Sequence, residues 1–238
     1  MSKRASTLPN MVLTLILITS VAGGSLGFIY QATKAPIEAS AVAKQQSAIK
    51  LVVPGFDNDP AAEMYELQSA EGFTLKVFPA KRDGELIGVA IESMTNRGFS
   101  GDIKVMVGLE PDGTIINYEV LEHRETPGLG TKMYDWFKPA DDDGADGEVG
   151  AVRAFFDRLF GISQDDGDDS KNILGKNPGT STLLVKQDGG EVDAITAATI
   201  TARAFLHAIE VAYTTYTQNT DAASSATTQI ENWEGDEQ

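Results

Sequence analysis

Apolar residues fall along the 238-residue chain in three distinct rhythms. Residues 11–30 read MVLTLILITSVAGGSLGFIY without a single charge, enough at the helical rise to cross a hydrocarbon core, so a transmembrane helix is expected there. After Pro36 the pattern IEASAVAKQQSAIKL predicts a separate helix over 36–51, with the proline in its first turn and Pro54-Gly55 as its stop. A polar connection follows over 56–71. Short β-branched and aliphatic runs at 73–78, 86–94, 103–109 and 115–121 predict strands. Arg82-Asp83-Gly84 and Pro111-Asp112-Gly113 are turn sequences, so the first two and the last two strands are expected to form hairpins. A last strand is expected over 183–186. Helices are expected at 132–137 (aromatic, capped by Thr131), at 149–160 (stopped by Gly161) and from Thr199 onward. In the last of these, Ile200, Ala204, Ala208 and Val211 recur on one face. Beyond Tyr216 the periodicity is lost, which predicts a disordered acidic tail over 217–238. The expected architecture is α+β: a mainly antiparallel sheet with flanking helices in a domain over 73–216, preceded by a segment 1–10, a membrane anchor 11–30 and a helical connection 31–72.

Charge adds orientation. Lys3 and Arg4 precede the apolar run, and the positive-inside rule then places 1–10 in the cytoplasm and the rest on the far side of a single-pass anchor. A cleaved signal peptide is the competing reading, because small residues at Ala39-Ser40-Ala41 and Ala41-Val42-Ala43 have a cleavage-site pattern. The length of the apolar run, and the distance from it to those residues, favour the anchor. The formal charge of −16 excludes a nucleic-acid partner as the expected one, since phosphate backbones need a basic surface. Much of the acid is local, in 141–148, 165–169 and 221–238. The first two runs have oxygen ligands and glycine but not the alternating spacing and closing glutamate of a calcium loop, so they read as solvated loops. His123 and His207 have no cysteine partners and predict no metal site. With no cysteine in the chain, iron–sulfur clusters and attached c-type haem are also excluded.

Two strings carry candidate chemistry. In Asp193-Ala194-Ile195-Thr196-Ala197-Ala198-Thr199 a turn runs into the helix, so Thr196 or Thr199 sits near a helix N-terminus. Unpaired N–H groups and the positive end of the dipole stabilise a phosphate there, and a threonine at that place either binds a phosphate, carries one, or is a plain cap. The second string, His123-Arg124-Glu125-Thr126-Pro127-Gly128-Leu129-Gly130, is a tight turn feeding another helix start.

The first string resembles the flavinylation motif of the FMN-binding domain family, D-x-x-S/T-G-A-T, with Ala197 where the family usually has glycine. The second is similar to another signature of that family, H-x-E-T-P-G-L-G after a P-D-G hairpin. The resemblance implies FMN joined covalently through a phosphoester to Thr199, with Asp193, Thr196, Ala198, Ile200 and Thr201 around the attachment. It also implies a flavin pocket lined by Glu125, Thr126, Gly128, Leu129, Gly130 and Lys132. Within the family, one membrane helix, a domain of this size and a single motif are similar to flavin-carrying subunits of bacterial inner-membrane electron transport complexes. Those of the Rnf ion-translocating type come first, and those of sodium-pumping NADH:quinone reductases second. The implied partners are the other subunits and a flavin transferase acting outside the cytoplasm, and the implied activity of the chain alone is small. From a different class, a membrane-anchored binding or sensory module with Thr199 as a simple cap remains the alternative.

Overall fold

The computed structural model describes residues 7–139 and 170–234, with 221–234 as backbone. The expected helix over 149–160 and the acidic runs at 141–148 and 165–169 lie outside the described residues. The chain divides into a unit ending at Lys44 and a unit beginning at Gln45.

The first unit is most of helix α1 (Leu8–Val52), which is long and apolar enough to cross a membrane. Leu13, Leu15, Ile16, Leu17 and Ile18 are all more than half exposed, as an apolar stretch with no protein neighbour must be. The hydroxyls of Thr14, Thr19 and Thr33 donate to carbonyls one turn earlier at 2.7–2.9 Å, so none is left unpaired on the apolar surface. The two helices expected from sequence are one. Pro36 stands inside α1 rather than in a first turn, where it removes a single bond, that to the Ala32 carbonyl. The Ala-, Gln- and Lys-rich sequence after it propagates the helix.

In the second unit, five strands form a meander in the order β1-β2-β3-β4-β5, every pair antiparallel. They are β1 (Tyr65–Gln68), β2 (Thr74–Arg82), β3 (Glu85–Thr95), β4 (Ile103–Leu109) and β5 (Ile115–Glu122). Both expected hairpins are present, and β3 pairs with β4 between them. Edge strand β1 was expected as a connection, because its Tyr-Glu-Leu-Gln sequence is largely exposed and carries no alternation to read. The expected strand at 183–186 is reduced to an isolated parallel bridge, Val185 to Val192, followed by a 3₁₀ turn over Lys186–Asp188.

Period-two alternation gives the sheet two apolar faces. Val77, Ile91, Val107 and Tyr118 are paired in register across four strands and face helix α2 (Thr199–Glu234). Phe205 of α2 centres this core: its ring stacks on Phe137 at 4.7 Å and meets Tyr118 edge-on at 4.8 Å. Ser93 adds a hydrogen bond from its hydroxyl to the Ala208 carbonyl at 2.7 Å. On the opposite face, Phe78, Ala80, Ala90 and Met106 pack with Ala48, Ile49, Val52 and Val53 at the end of α1. Helix α2 runs past Tyr216 to Glu234, where composition predicts disorder. No glycine or proline stands between Gly190 and Gly235, so nothing local ends it.

Gly108 is the point where the end of α1 presses on the sheet, since a Cβ there would lie 2.1 Å from the Val52 carbonyl oxygen. Gly108→Ala is expected to destabilise the domain by about 1–3 kcal/mol, the usual cost of overpacking against backbone, read as a lower denaturation midpoint of the full chain in detergent.

Candidate functional site

Helix α2 begins in a tight turn. Ala198 donates its N–H to the Ile195 carbonyl at 2.9 Å, with Thr196 and Ala197 exposed at the corner. Ala197 has φ +63°, the left-handed region that a type II turn requires at its third position and that glycine fills without strain. The departure from the family glycine therefore falls where the backbone is left-handed. The Ala198 carbonyl accepts the first helical bond, from Ala202 N–H at 3.0 Å, which makes Ala198 the residue at the helix boundary. Thr199 is then the first helical residue, half-buried, and neither it nor Thr196 is the cap. The N–H groups of Thr199, Ile200 and Thr201 point along the axis without intrahelical acceptors. A phosphate at the Thr199 hydroxyl fits this donor set and the dipole behind it.

Asp193 clasps the approach to the turn. Its carbonyl accepts the Trp136 indole N–H at 3.0 Å, its carboxylate pairs with Lys186 at 3.0 Å, and it accepts the Ser170 hydroxyl. This places Asp193 in the frame of the turn, tied to the segment that follows the second motif.

The two motifs meet at Glu125. Its side chain, only 4% exposed, accepts the Thr201 hydroxyl at Oε2 (2.8 Å) and the Ser100 N–H at Oε1 (3.2 Å). Thr201 is itself 1% exposed. One carboxylate thereby joins the first turn of α2, the Gly98–Gly101 loop and the Thr126–Gly130 loop. His123 fixes the backbone behind it: Nδ1 accepts the Glu125 N–H at 3.1 Å, so the ring proton is on Nε2, toward the Tyr134 hydroxyl at 3.1 Å. Gly130 fits only because it lacks a side chain, since a Cβ there would lie 2.7–3.0 Å from Glu125 and Thr201. The turn before it is closed by Gly128 N–H to the Thr131 hydroxyl at 2.9 Å and by Leu129 N–H to the Thr126 carbonyl at 3.2 Å. Thr131 was expected to cap a helix over 132–137; it lies instead within a 3₁₀ turn, Gly130–Tyr134, and its hydroxyl serves the preceding loop.

A cleft of about 370 Å³ opens beside the start of α2, lined by Ile200, Arg203 and His207 along the helix and by Leu184 and Arg97 from other segments. That volume is in the range of cofactor pockets. Leu184 and Ile200 are 42% and 48% exposed. Of the expected apolar face, Ala204, Ala208 and Val211 are buried, together with Ala202, Phe205, Leu206, Ile209 and Ala212; only Ile200 is not, and it lines the cleft. Arg203 binds Asp188 through two hydrogen bonds of 2.6 and 2.7 Å, which holds the Asp188 carboxyl below the usual range and raises the guanidinium. Thr126, Gly128, Leu129 and Lys132 do not line this cleft; the structure brings their loop to the helix start through Glu125 and Gly130. Sequence reasoning passed over Arg97, Leu184 and Arg203, and also Phe99, which stands 66% exposed beside Ser100. Only the glycines flanking 99–100 signalled that loop.

A helix-start threonine, a left-handed turn before it and a glycine loop locked to it by a buried carboxylate define a helix-anchored α+β domain suited to a phosphate-bearing cofactor. Residues 98–214, from the loop after β3 into α2, match the FMN-binding domain family. The chain is 31% identical over 204 residues to the G subunit of the ion-translocating oxidoreductase complex of Haemophilus influenzae, covering 80% of this chain and 86% of that protein. The G subunit of Cereibacter sphaeroides is 32% identical over 199 residues, 83% of this chain and 78% of the other. That of Salmonella typhi is 31% identical over 203 residues, 83% and 85% of the two chains. The chain belongs to the FMN-binding domain family, among these G subunits of ion-translocating oxidoreductase complexes.

Two substitutions test the geometry. Ala197→Gly is expected to stabilise the domain by about 1 kcal/mol or less, because relief of left-handed strain exceeds the added chain entropy only slightly. Glu125→Ala strands the buried Thr201 hydroxyl and breaks the bond from the Ser100 N–H at the surface loop, and is expected to cost on the order of 1–3 kcal/mol, with Glu125→Gln costing less. Urea denaturation of each variant beside the wild type measures both.

Proposed function

We propose that this chain is the flavin-carrying subunit of an Rnf-type ion-translocating electron transport complex, with FMN attached covalently through its phosphate to Thr199. The observation that carries the reading is the position of Thr199, at the first residue of α2 on an exposed left-handed turn, with the second family signature locked to the same helical turn by Glu125. The names of the similar G subunits support membership of such a complex.

In this reading the first N–H groups of α2 hold the phosphate, and the helix dipole favours its charge. The cleft bounded by Leu184 and Ile200 takes the ring system, with apolar contact from those two side chains and charge from Arg97 and Arg203. FMN supplies the redox chemistry when bound; this chain positions it and sets the charge around it. Glu125 and Asp193 act as positioning residues, holding the two loops against the helix start. Thr196 and Ala197, exposed at the corner of the turn, are what a flavin transferase would meet first. Lys3 and Arg4 before the apolar run place the N-terminus in the cytoplasm, so the flavin domain lies outside the cytoplasm, where covalent attachment keeps a cofactor that cannot readily be replaced.

Thr199→Val removes the hydroxyl and keeps nearly the same shape. Expressed in a host with the flavin transferase, the variant is expected to lose all flavin fluorescence in a denaturing gel while its circular dichroism matches wild type. Fluorescence that survives the substitution would assign the attachment to another residue.

A further inference from the structure

We propose that His207, held between Glu71 and Thr95 where two clefts meet, takes up a proton when the flavin is reduced and so balances the negative charge that reduction adds. The inference rests on the reading of the cleft beside Ile200 as the flavin site.

His207 lines that cleft and also a second one of about 260 Å³, which shares Arg97, His207 and Glu210 with it and extends along α2 to Gln218. The imidazole therefore has the larger cleft on one side and a polar cavity, bordered by Ser69, Glu71 and Thr214, on the other. Its side chain is 11% exposed, dry enough for nearby charges to act on it and open enough to exchange protons with water.

Both ring nitrogens are engaged. Nε2 lies 2.9 Å from Glu71 Oε1, and Nδ1 lies 3.0 Å from the Thr95 hydroxyl. A carboxylate only accepts, so Nε2 carries its proton and the Thr95 hydroxyl donates to Nδ1 in the neutral ring. Thr95 Oγ1 also accepts the Arg97 N–H at 3.2 Å. A proton arriving at Nδ1 is accommodated when the Thr95 hydroxyl turns and offers its second lone pair, with no change in the fold.

The charges around His207 are closely matched. Glu71, in the turn between β1 and β2, accepts from both His207 and Arg97, the latter at 2.8 Å, and the bond from His207 is the main cause holding its carboxyl below the usual range. Arg97 lies just after β3, Arg203 is paired with Asp188, and Glu210 is on α2 one turn beyond His207. With neutral His207 these groups carry two positive and three negative charges, so a further negative charge in the cleft favours the imidazolium. The balance is simple: an external electron carrier delivers two electrons, one proton goes to the flavin ring, and a second from solvent binds His207 Nδ1. Reoxidation returns both electrons to an acceptor and releases both protons.

The test uses the full-length protein in detergent, with FMN on Thr199 first verified by peptide mass. Protons taken up on dithionite reduction are counted with a pH indicator, and the midpoint potential is followed over about pH 5.5 to 8.5, where histidine titrates. Wild type is expected to bind up to one more proton per flavin than His207→Gln in the window where the ring is neutral in the oxidised and charged in the reduced protein, with a steeper potential–pH line there. The difference should fade on either side of that window, where the ring holds the same protonation state in both redox forms. Glu71→Gln keeps the imidazole and is expected to move the extra uptake to lower pH. The His207 ring resonance, titrated by NMR in oxidised and reduced protein, reads the same event without substitution, and the reduced curve should lie at higher pH. Equal proton counts in wild type and His207→Gln, or coincident NMR curves, overturn the proposal. A protein without FMN at Thr199 overturns the underlying reading instead, and the peptide mass reports that separately.

Discussion

One buried carboxylate decides whether the two motifs form a site at all. Glu125 lies on the loop that leaves β5, Thr201 on the first turn of α2, and Ser100 on the loop between β3 and β4. These segments are far apart in the chain, and the Glu125 side chain gives each of the other two a charge-assisted acceptor, buried at Thr201 and nearer the surface at Ser100. Removing it would leave the buried Thr201 hydroxyl without a partner, so that connection is strongly favoured once α2 has docked on the sheet. The packing agrees with the bonding, because Gly130 and Gly98 leave no room for side chains beside that carboxylate.

The sheet provides the rigid base for this junction. Phe205, Leu206 and Ile209 bury one face of α2 against β3, β4 and β5, which fixes the rotation of the helix and therefore the direction in which its first residues look. With the apolar face committed to the core, Ile200 and Arg203 are left to line the cleft, and Thr199 stands half-buried at the helix start. The same rotation brings His207 to Thr95 and Glu71 at the far end of the cleft.

Much of this was legible in sequence, for physical reasons. The membrane helix is a long uncharged run, and four of the strands are bounded by turn residues with strong backbone preferences. The Asp193–Thr199 and His123–Gly130 strings carried the family. Other features were not legible. Strand β1 is an exposed edge whose pairing is made by backbone, so its side chains show no pattern. The left-handed φ of Ala197 is contrary to what alanine prefers and shows only in the folded turn. Ile200 fits the helical apolar periodicity but falls at the margin of the buried face, and periodicity does not show where a helix rises clear of its sheet. The Glu125–Thr201 bond joins residues 76 apart, and Arg97 reaches the cleft through tertiary placement alone.

The central claim is that Thr199 carries FMN on a domain built to present it. The most direct measurement is the intact mass of the chain purified from its native membranes, followed by mapping of the peptide that spans residues 193–203. The account predicts a mass increase equal to FMN less one water, localised to Thr199. An unmodified Thr199 in membranes that contain active flavin transferase would contradict it, and would leave the turn and its glycine loop as the frame of a binding module without redox chemistry.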